Sequence, residues 1–481
     1  MKKIFYLFVL LALFSTFSLL YAAPTNYTYN YDFWLEQVAS PDAYHVGAYI
    51  LGTTLGIGHF RDPQGLYIRD NRIYICDSGN NRIIKIEVLE NGEYHVAETV
   101  SSVRINGEES SFNYPMDIFE NRNGDLYIAD TNNNRVLKLD FDWNFISTVE
   151  KPDDESLGDF TDFLPVKLVV DFANRLFVQA RNVNKGLMEF DSRGEFSGYM
   201  GANKVSVKIM DYVWKLLSTQ AQRERMDLFI PTEYSNVAMD KDGFIYASNS
   251  TGQTEPVRRL NAMGQDILIR YGYEKPVGDL VVGIAGGIAG RSRFIDVVAF
   301  DNDSYACFDR TRGRIFMYDF QGNLLYAFGG VGNREGSFLQ PTALDRMGYS
   351  LFALDSRSGA LTRFDLTGYG ALINKALDEY KAGRYELSAV VWEEVLKMNG
   401  NYDLAYIGIG RAALRQKEFQ KAMKYYKLKH FREGYGKAFQ LYRKVWMEEN
   451  LWKILLILGI VIFTPLIIRH SIKLYKEIKE A

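Results

Sequence analysis

Cysteine and histidine are scarce in this chain. Two cysteines, Cys76 and Cys307, and five histidines serve 481 residues, and no histidine occurs from 96 to 429. So few sulfur and imidazole groups exclude a disulfide framework and a Cys/His zinc site. There is no His-Glu-x-x-His, no Gly-x-Ser-x-Gly elbow and no paired-cysteine motif, and the three N-terminal histidines, His45, His59 and His95, share no helical or strand spacing. The sequence therefore nominates no catalytic residue, no metal ligand and no cofactor. A basic face is also missing from the main body, where residues 1–370 carry 36 Lys and Arg against 47 Asp and Glu. That balance argues against a nucleic-acid surface.

Aromatic residues and glycine are plentiful. Thirty-two Tyr, 31 Phe and 40 Gly accompany 47% apolar and 24% charged residues. The bulk composition is that of a globular chain, neither disordered nor wholly membrane-embedded. Aromatics together with turn-forming glycine lean towards β-structure.

Both ends carry apolar segments. Lys2 and Lys3 precede an uncharged run from Ile4 to Leu20, followed by Ala22 and Ala23, as in a signal peptide over 1–23. Cleavage after Ala22 would leave Leu20 at −3, and cleavage after Ala23 would leave Pro24 next, so an uncleaved anchor is the alternative. At the other end, 451–468 is long enough to span a membrane, interrupted only by Lys453 near its start, where a lysine can snorkel. Glu448 and Glu449 precede it, and Arg469, Lys473, Lys476 and Lys479 follow. The positive-inside rule then places a basic tail, 469–481, in the cytoplasm and the main body outside the cytoplasm.

Between these ends the chain repeats itself. Residues 73–82, IYICDSGNNR, return as LYIADTNNNR at 126–135, and weaker copies lie at 163–190, 237–261, 297–319 and 338–365. Aligning Asp77, Asp130, Ala180, Asn249, Asp309 and Asp355 gives six units. Each unit alternates short β-rich runs with turns such as Asn123-Gly124, the pattern of a four-stranded blade. Six blades can close a ring, and a strand at about Gly47 to Gly52 can supply the closing pair.

The DSGNNRI and DTNNNRV turns resemble the NHL repeat. The resemblance extends over about 60–367, and it is weakest in units three and four. It implies a mainly β fold, a six-bladed β-propeller over 59–369, behind an N-terminal segment (24–58) that carries the closing strand. It also implies that the Asp and Arg of each turn bond across strands to hold the blade. Asp77, Asn81, Arg82, Asp130, Asn134, Arg135, Asp309 and Arg314 are read as blade-structural residues on that basis.

Two insertions break the repeat. Residues 204–229 place Val205, Ile209, Val213, Leu216 and Leu217 at helical spacing beside Trp214, with a mostly basic opposite face. Such a helix either packs on the ring or binds a partner or lipid, and Ile209, Val213, Trp214 and Leu217 are its candidate interaction residues. Residues 278–292 include LVVGIAGGIAG. This run has no phosphate-loop spacing and reads as a flexible apolar loop, with partner or membrane contact as the sharper option.

From 370 to 447 the β pattern ends. Tyr380 to Ser388 aligns with Leu414 to Ala422 at an offset of 34, and Trp392 meets Tyr426 at the same offset. This segment resembles two tetratricopeptide repeats plus a helix at roughly 434–447. Lys417 stands where the repeat expects a small glycine. Trp392, Tyr425 and Tyr426 are expected in the inter-helix core.

Two function classes follow. The first is a non-enzymatic, membrane-anchored interaction or scaffold module with a protein partner, accessory to an envelope or transport complex. The second is a sugar-lactone hydrolase-like or lyase-like enzyme with a metal in the central channel. Three or more carboxylate or Asn side chains converging on the ring axis would favour the second. The sequence assigns no small-molecule ligand to the channel.

Overall fold

A computed structural model describes residues 28–153, 162–201, 233–249, 255–280, 288 and 290–480. The N-terminal apolar run, and Ile209, Val213, Trp214 and Leu217, lie outside the described residues.

The first unit is a six-bladed β-propeller. Blade 1 spans the four antiparallel strands from Gly65 to Val100, blade 2 those from Pro115 to Val149 and blade 3 those from Pro165 to Met200. Blade 4 has three strands between Asn236 and Leu260 among the described residues. Blade 5 runs from Phe294 to Gly329, and blade 6 from Pro341 to Leu366. The strand Tyr44–Leu51 pairs antiparallel with Ala360–Leu366 as the outermost strand of blade 6. The closing strand thus lies slightly earlier than the sequence suggests, and it joins the beginning of the propeller to its end. A second N-terminal hairpin, Tyr29–Tyr31 with Gln37–Ala39, extends the outer edge of blade 5.

Strand alternation explains why the blades read as nearly continuous apolar runs. In the strand Arg72–Asp77, Ile73 and Ile75 join the core shared with blade 6. Tyr74 and Cys76 point the other way, into the core shared with blade 2. A strand buried on both faces shows no polar alternation. Similar cores unite blades 2 and 3, 3 and 4, and 4 and 5. Cys76 and Cys307 sit in two of these cores as free thiols, with burial pushing both well above the ordinary thiol range.

The second unit begins at Leu372 and is helical. Helix α1 (Gly368–Lys381) leads into α2 (Tyr385–Met398), α3 (Asp403–Arg415), α4 (Phe419–Leu428) and α5 (Arg432–Glu480). Glycines on α3 set the packing. A Cβ on Gly408 would lie 2.4 Å from the Trp392 indole nitrogen, and one on Gly410 would lie 2.7 Å from the Tyr426 ring. Trp392 and Tyr426 therefore fill the inter-helix core, and the half-buried Tyr425 ring lies tilted beside Tyr406, 6.4 Å between centroids. The turns after α1 and α3 each hold a left-handed residue, Gly383 (φ 78°) and Lys417 (φ 65°), so lysine adopts the backbone that glycine adopts in the first copy. The helix expected at 434–447 and the apolar segment 451–468 are one continuous helix. No proline or glycine lies between Lys437 and Gly459 to break it. This helix, α5, is long and apolar enough to cross a membrane.

Candidate functional site

The repeat turns build a common cage around an aspartate. In blade 1, Asp77 accepts hydrogen bonds from the Arg61 amide (2.7 Å), Asn80 Nδ2 (2.8 Å) and Arg82 Nε (2.7 Å). Blade 2 repeats this at Asp130 with the Asn113 amide, Asn133 and Arg135 Nε, each at 2.8 Å. Both carboxylates are fully buried. The asparagines named from sequence play a different part. Asn81 and Asn134 take left-handed φ values of 51° and 58°, which asparagine tolerates better than most residues, while the preceding Asn80 and Asn133 bond the carboxylate. Ser78 and Thr131 then donate to the carbonyls of Pro115 and Pro165, each at 2.6 Å, linking each turn to the next blade.

Blade 5 departs from this pattern. Asp309 is held by the Arg293 and Thr311 amides and by Ser292 Oγ. Arg314 instead donates to Asp279 at 2.7 Å. Asp279 is buried and also accepts from the hydroxyls of Tyr29 and Tyr31 and from Gln37. It ties the base of the Gly-rich segment to the N-terminal hairpin. No sequence signal marked it, because its partners lie roughly 35 and 250 residues away.

The central channel holds a second set of buried polar groups. A cavity of about 500 Å³ is lined by the inner strands of all six blades. Gly65, Asp117, Lys167, Asn236, Asp296 and Ala343 occupy equivalent positions, each paired with the residue before its blade's turn position. Asp345, two residues beyond Ala343, completes the group. Each carboxylate reaches across to the next inner strand. Asp117 accepts the Leu168 amide (3.0 Å), Asp296 the Leu344 amide (2.7 Å) and Asp345 the Ile68 amide (2.5 Å). Lys167 donates to Asp117 at 3.3 Å, and Asn236 donates to Asp296.

Burial raises all three carboxyls above their usual range. Asp296 and Asp345 are each pushed up to about 7, and nearby backbone amides only partly offset this. Asp117 is raised as well, with Lys167 pulling against the shift. Burial lowers the Lys167 ammonium, but Asp117 and Asp296 outweigh it, so the amine stays charged. Arg69, Asp70, Arg122, Asp301 and Arg346 also line the cavity, with the Arg122 guanidinium over the Phe172 ring.

Residues 60–86 match the model of the NHL repeat. The NHL match therefore falls on blade 1 and the approach to it. No curated protein matches the chain. Among solved structures, virginiamycin B lyase from Staphylococcus aureus aligns with a TM-score of 0.42 at 12% identity, covering 67% of this chain and all of that one. A streptogramin B lyase gives 0.38 at 13% identity, covering 64% and 94%. A protein of unknown function from Bacteroides thetaiotaomicron gives 0.42 at 11% identity, covering 68% and 73%. Similarity at this level says nothing about chemistry.

The caged turns allow a direct test. Arg135→Ala should destabilise the fold by about 1–3 kcal/mol, because buried acceptors on Asp130 lose a charged donor. Thermal melting in mild detergent checks this. Unchanged melting with loss of a specific binding partner would instead make the turn a binding site.

Proposed function

We propose that the chain is a non-enzymatic interaction module, exported behind its N-terminal apolar run and held to a membrane by α5, with its propeller and tetratricopeptide-like helices outside the cytoplasm. Its role is that of an accessory to an envelope or transport complex. The observation that carries this reading is α5. Its apolar run has no buried residue and is exposed along nearly its whole length, a surface that lipid would cover. The commitment of the channel carboxylates to neighbouring inner strands also supports it, since that assigns them to closing the ring.

A second reading, a propeller enzyme working in the channel, is favoured by one observation. Asp117, Asn236, Asp296 and Asp345 converge on the axis, which is the arrangement such an enzyme needs. A metal fits these residues poorly. Their oxygens already accept backbone amides, Lys167 stands among them, and no group of three His, Cys, Asp or Glu among the described residues is placed to hold an ion.

Protease added to cells with a permeable outer layer should digest 60–367 and spare a fragment after Ile468. Protection of the propeller would sink the exported reading. Purifying the native membrane complex should recover a stoichiometric protein partner. Turnover of a sugar lactone by the isolated chain, abolished by Asp296→Asn, would favour the second reading.

A further inference from the structure

We infer that the turn between α3 and α4, together with the part of α5 just ahead of its apolar run, rests against anionic lipid headgroups. This rests on the proposal that α5 crosses a membrane and adds a lipid class to it. Residues 415–444 carry ten Lys and Arg against two acidic residues, in a chain whose net charge is −3. Counting on to Asn450 adds Glu448 and Glu449, so ten Lys and Arg stand against four acidic residues ahead of the apolar run.

The helix geometry selects which cations can reach the lipid. Gln420 Nε2 donates to the Tyr442 hydroxyl at 3.1 Å, which fixes the α3–α4 turn beside Tyr442. On a continuous helix, Tyr442 stands about 13 Å and Lys444 about 10 Å before Leu451. The headgroup layer adds roughly 5–8 Å to each side of the hydrocarbon, and charges act across a further ~8 Å at physiological salt. Lys417, Lys421, Arg443 and Lys444 fall inside that reach. Lys437, about 21 Å away, does not, and Lys427 lies at the far end of α4 from Gln420. The four near cations are exposed. The ion pairs of Lys421 with Glu418 (3.3 Å) and of Lys444 with Glu448 (3.9 Å) are single-turn surface contacts, weak enough to yield to a phosphate. Trp446 and Trp452, 46% and 62% exposed, bracket the expected boundary, where tryptophan is enriched.

The test uses the full chain in mild detergent, titrated with phosphatidylglycerol or phosphatidylcholine while native mass spectrometry counts bound lipid. Phosphatidylglycerol should bind at least about tenfold more tightly. The variant carrying Lys417→Gln, Lys421→Gln, Arg443→Gln and Lys444→Gln should lose that preference. The pair Lys427→Gln with Lys437→Gln should keep it, as should the tail set Lys473→Gln, Lys476→Gln and Lys479→Gln. Melting curves check that each variant folds. If the fourfold variant does not, the pairs Lys417→Gln with Lys421→Gln and Arg443→Gln with Lys444→Gln are measured separately, and each should weaken the preference. Equal binding of the two lipids by the wild type, or loss of preference in the tail set alone, overturns the inference. Displacement of the lipid by free glycerol phosphate would indicate a soluble phosphate-ester site and also overturns it. Loss of a co-purifying acidic protein with lipid preference intact would do the same. Release of the chain from membranes by alkaline carbonate would refute the spanning reading itself, a separate result.

Discussion

Lys167→Met should destabilise the propeller by about 3–5 kcal/mol, the cost of leaving a buried charge without its partner. Lys167 and Asp117 are both almost fully buried, and the ammonium stands 3.3 Å from the carboxylate. Methionine fills most of the lysine volume, so the loss is electrostatic rather than a cavity. Asp117 can then either stay charged in a low-dielectric channel or take up a proton and hold the Leu168 amide less well. Adding Asp117→Asn to Lys167→Met should restore part of the stability, because the orphaned charge is gone. Thermal unfolding of the three proteins in one detergent checks this. If the single variant melts with the wild type, the channel pair contributes nothing to ring closure. Arg135→Ala, at the rim of a blade, should cost less because Asp130 keeps its amide and its asparagine.

The turns were legible in the sequence because their grammar is local. Asp77, Asn81 and Arg82 lie within six residues, and a left-handed asparagine before a pairing arginine is a short-range device that returns in blade 2. Closure by an N-terminal strand was legible too, because a ring needs a partner for its last edge. The channel was not legible. Its members come from different blades about fifty to seventy residues apart, and Lys167 and Asn236 sit in the two units whose turn motif has decayed. Nothing in VKLVV or SNVAM tells that their polar residues meet carboxylates of the neighbouring inner strands. Arg314 misled for the opposite reason. It keeps the motif spacing after Asp309, but Asp279, brought in by an insertion, binds it instead. The Lys and Arg from which the expected membrane orientation is read are less one-sided than the tail suggests. Arg432, Lys437, Arg443 and Lys444 precede the apolar run as Arg469, Lys473, Lys476 and Lys479 follow it. The N-terminal basic start therefore carries more of the orientation argument.

The propeller should lose stability as pH rises from about 4 to about 7 and then level off. Asp296 and Asp345 are held at about 7 by burial, against about 3.9 for an unfolded aspartate. Between those values the folded state binds more protons than the unfolded state, so each step up in pH favours unfolding. Asp117 is shifted in the same direction and reinforces the trend. The groups facing Asp296 are Asn236, Lys167, Asp117 and Asp345, of which Lys167 by its charge and Asn236 by its donated hydrogen bond favour ionisation. A three-unit shift corresponds to about 4 kcal/mol per group, so two such groups would dominate the pH response of the ring. Asp296→Asn should remove about half of the slope between pH 5 and pH 7. Its absolute stability is a poorer readout, because the amide nitrogen that replaces Oδ2 cannot accept the Leu344 amide. Melting temperatures of wild type and Asp296→Asn at pH 5, 6, 7 and 8, in one detergent and at fixed ionic strength, give the two slopes directly. Parallel curves would mean that Asp296 is already ionised across this range, with Lys167 and the inner-strand amides compensating it fully, and the channel would then be a fixed ion-pair network rather than a proton-binding one.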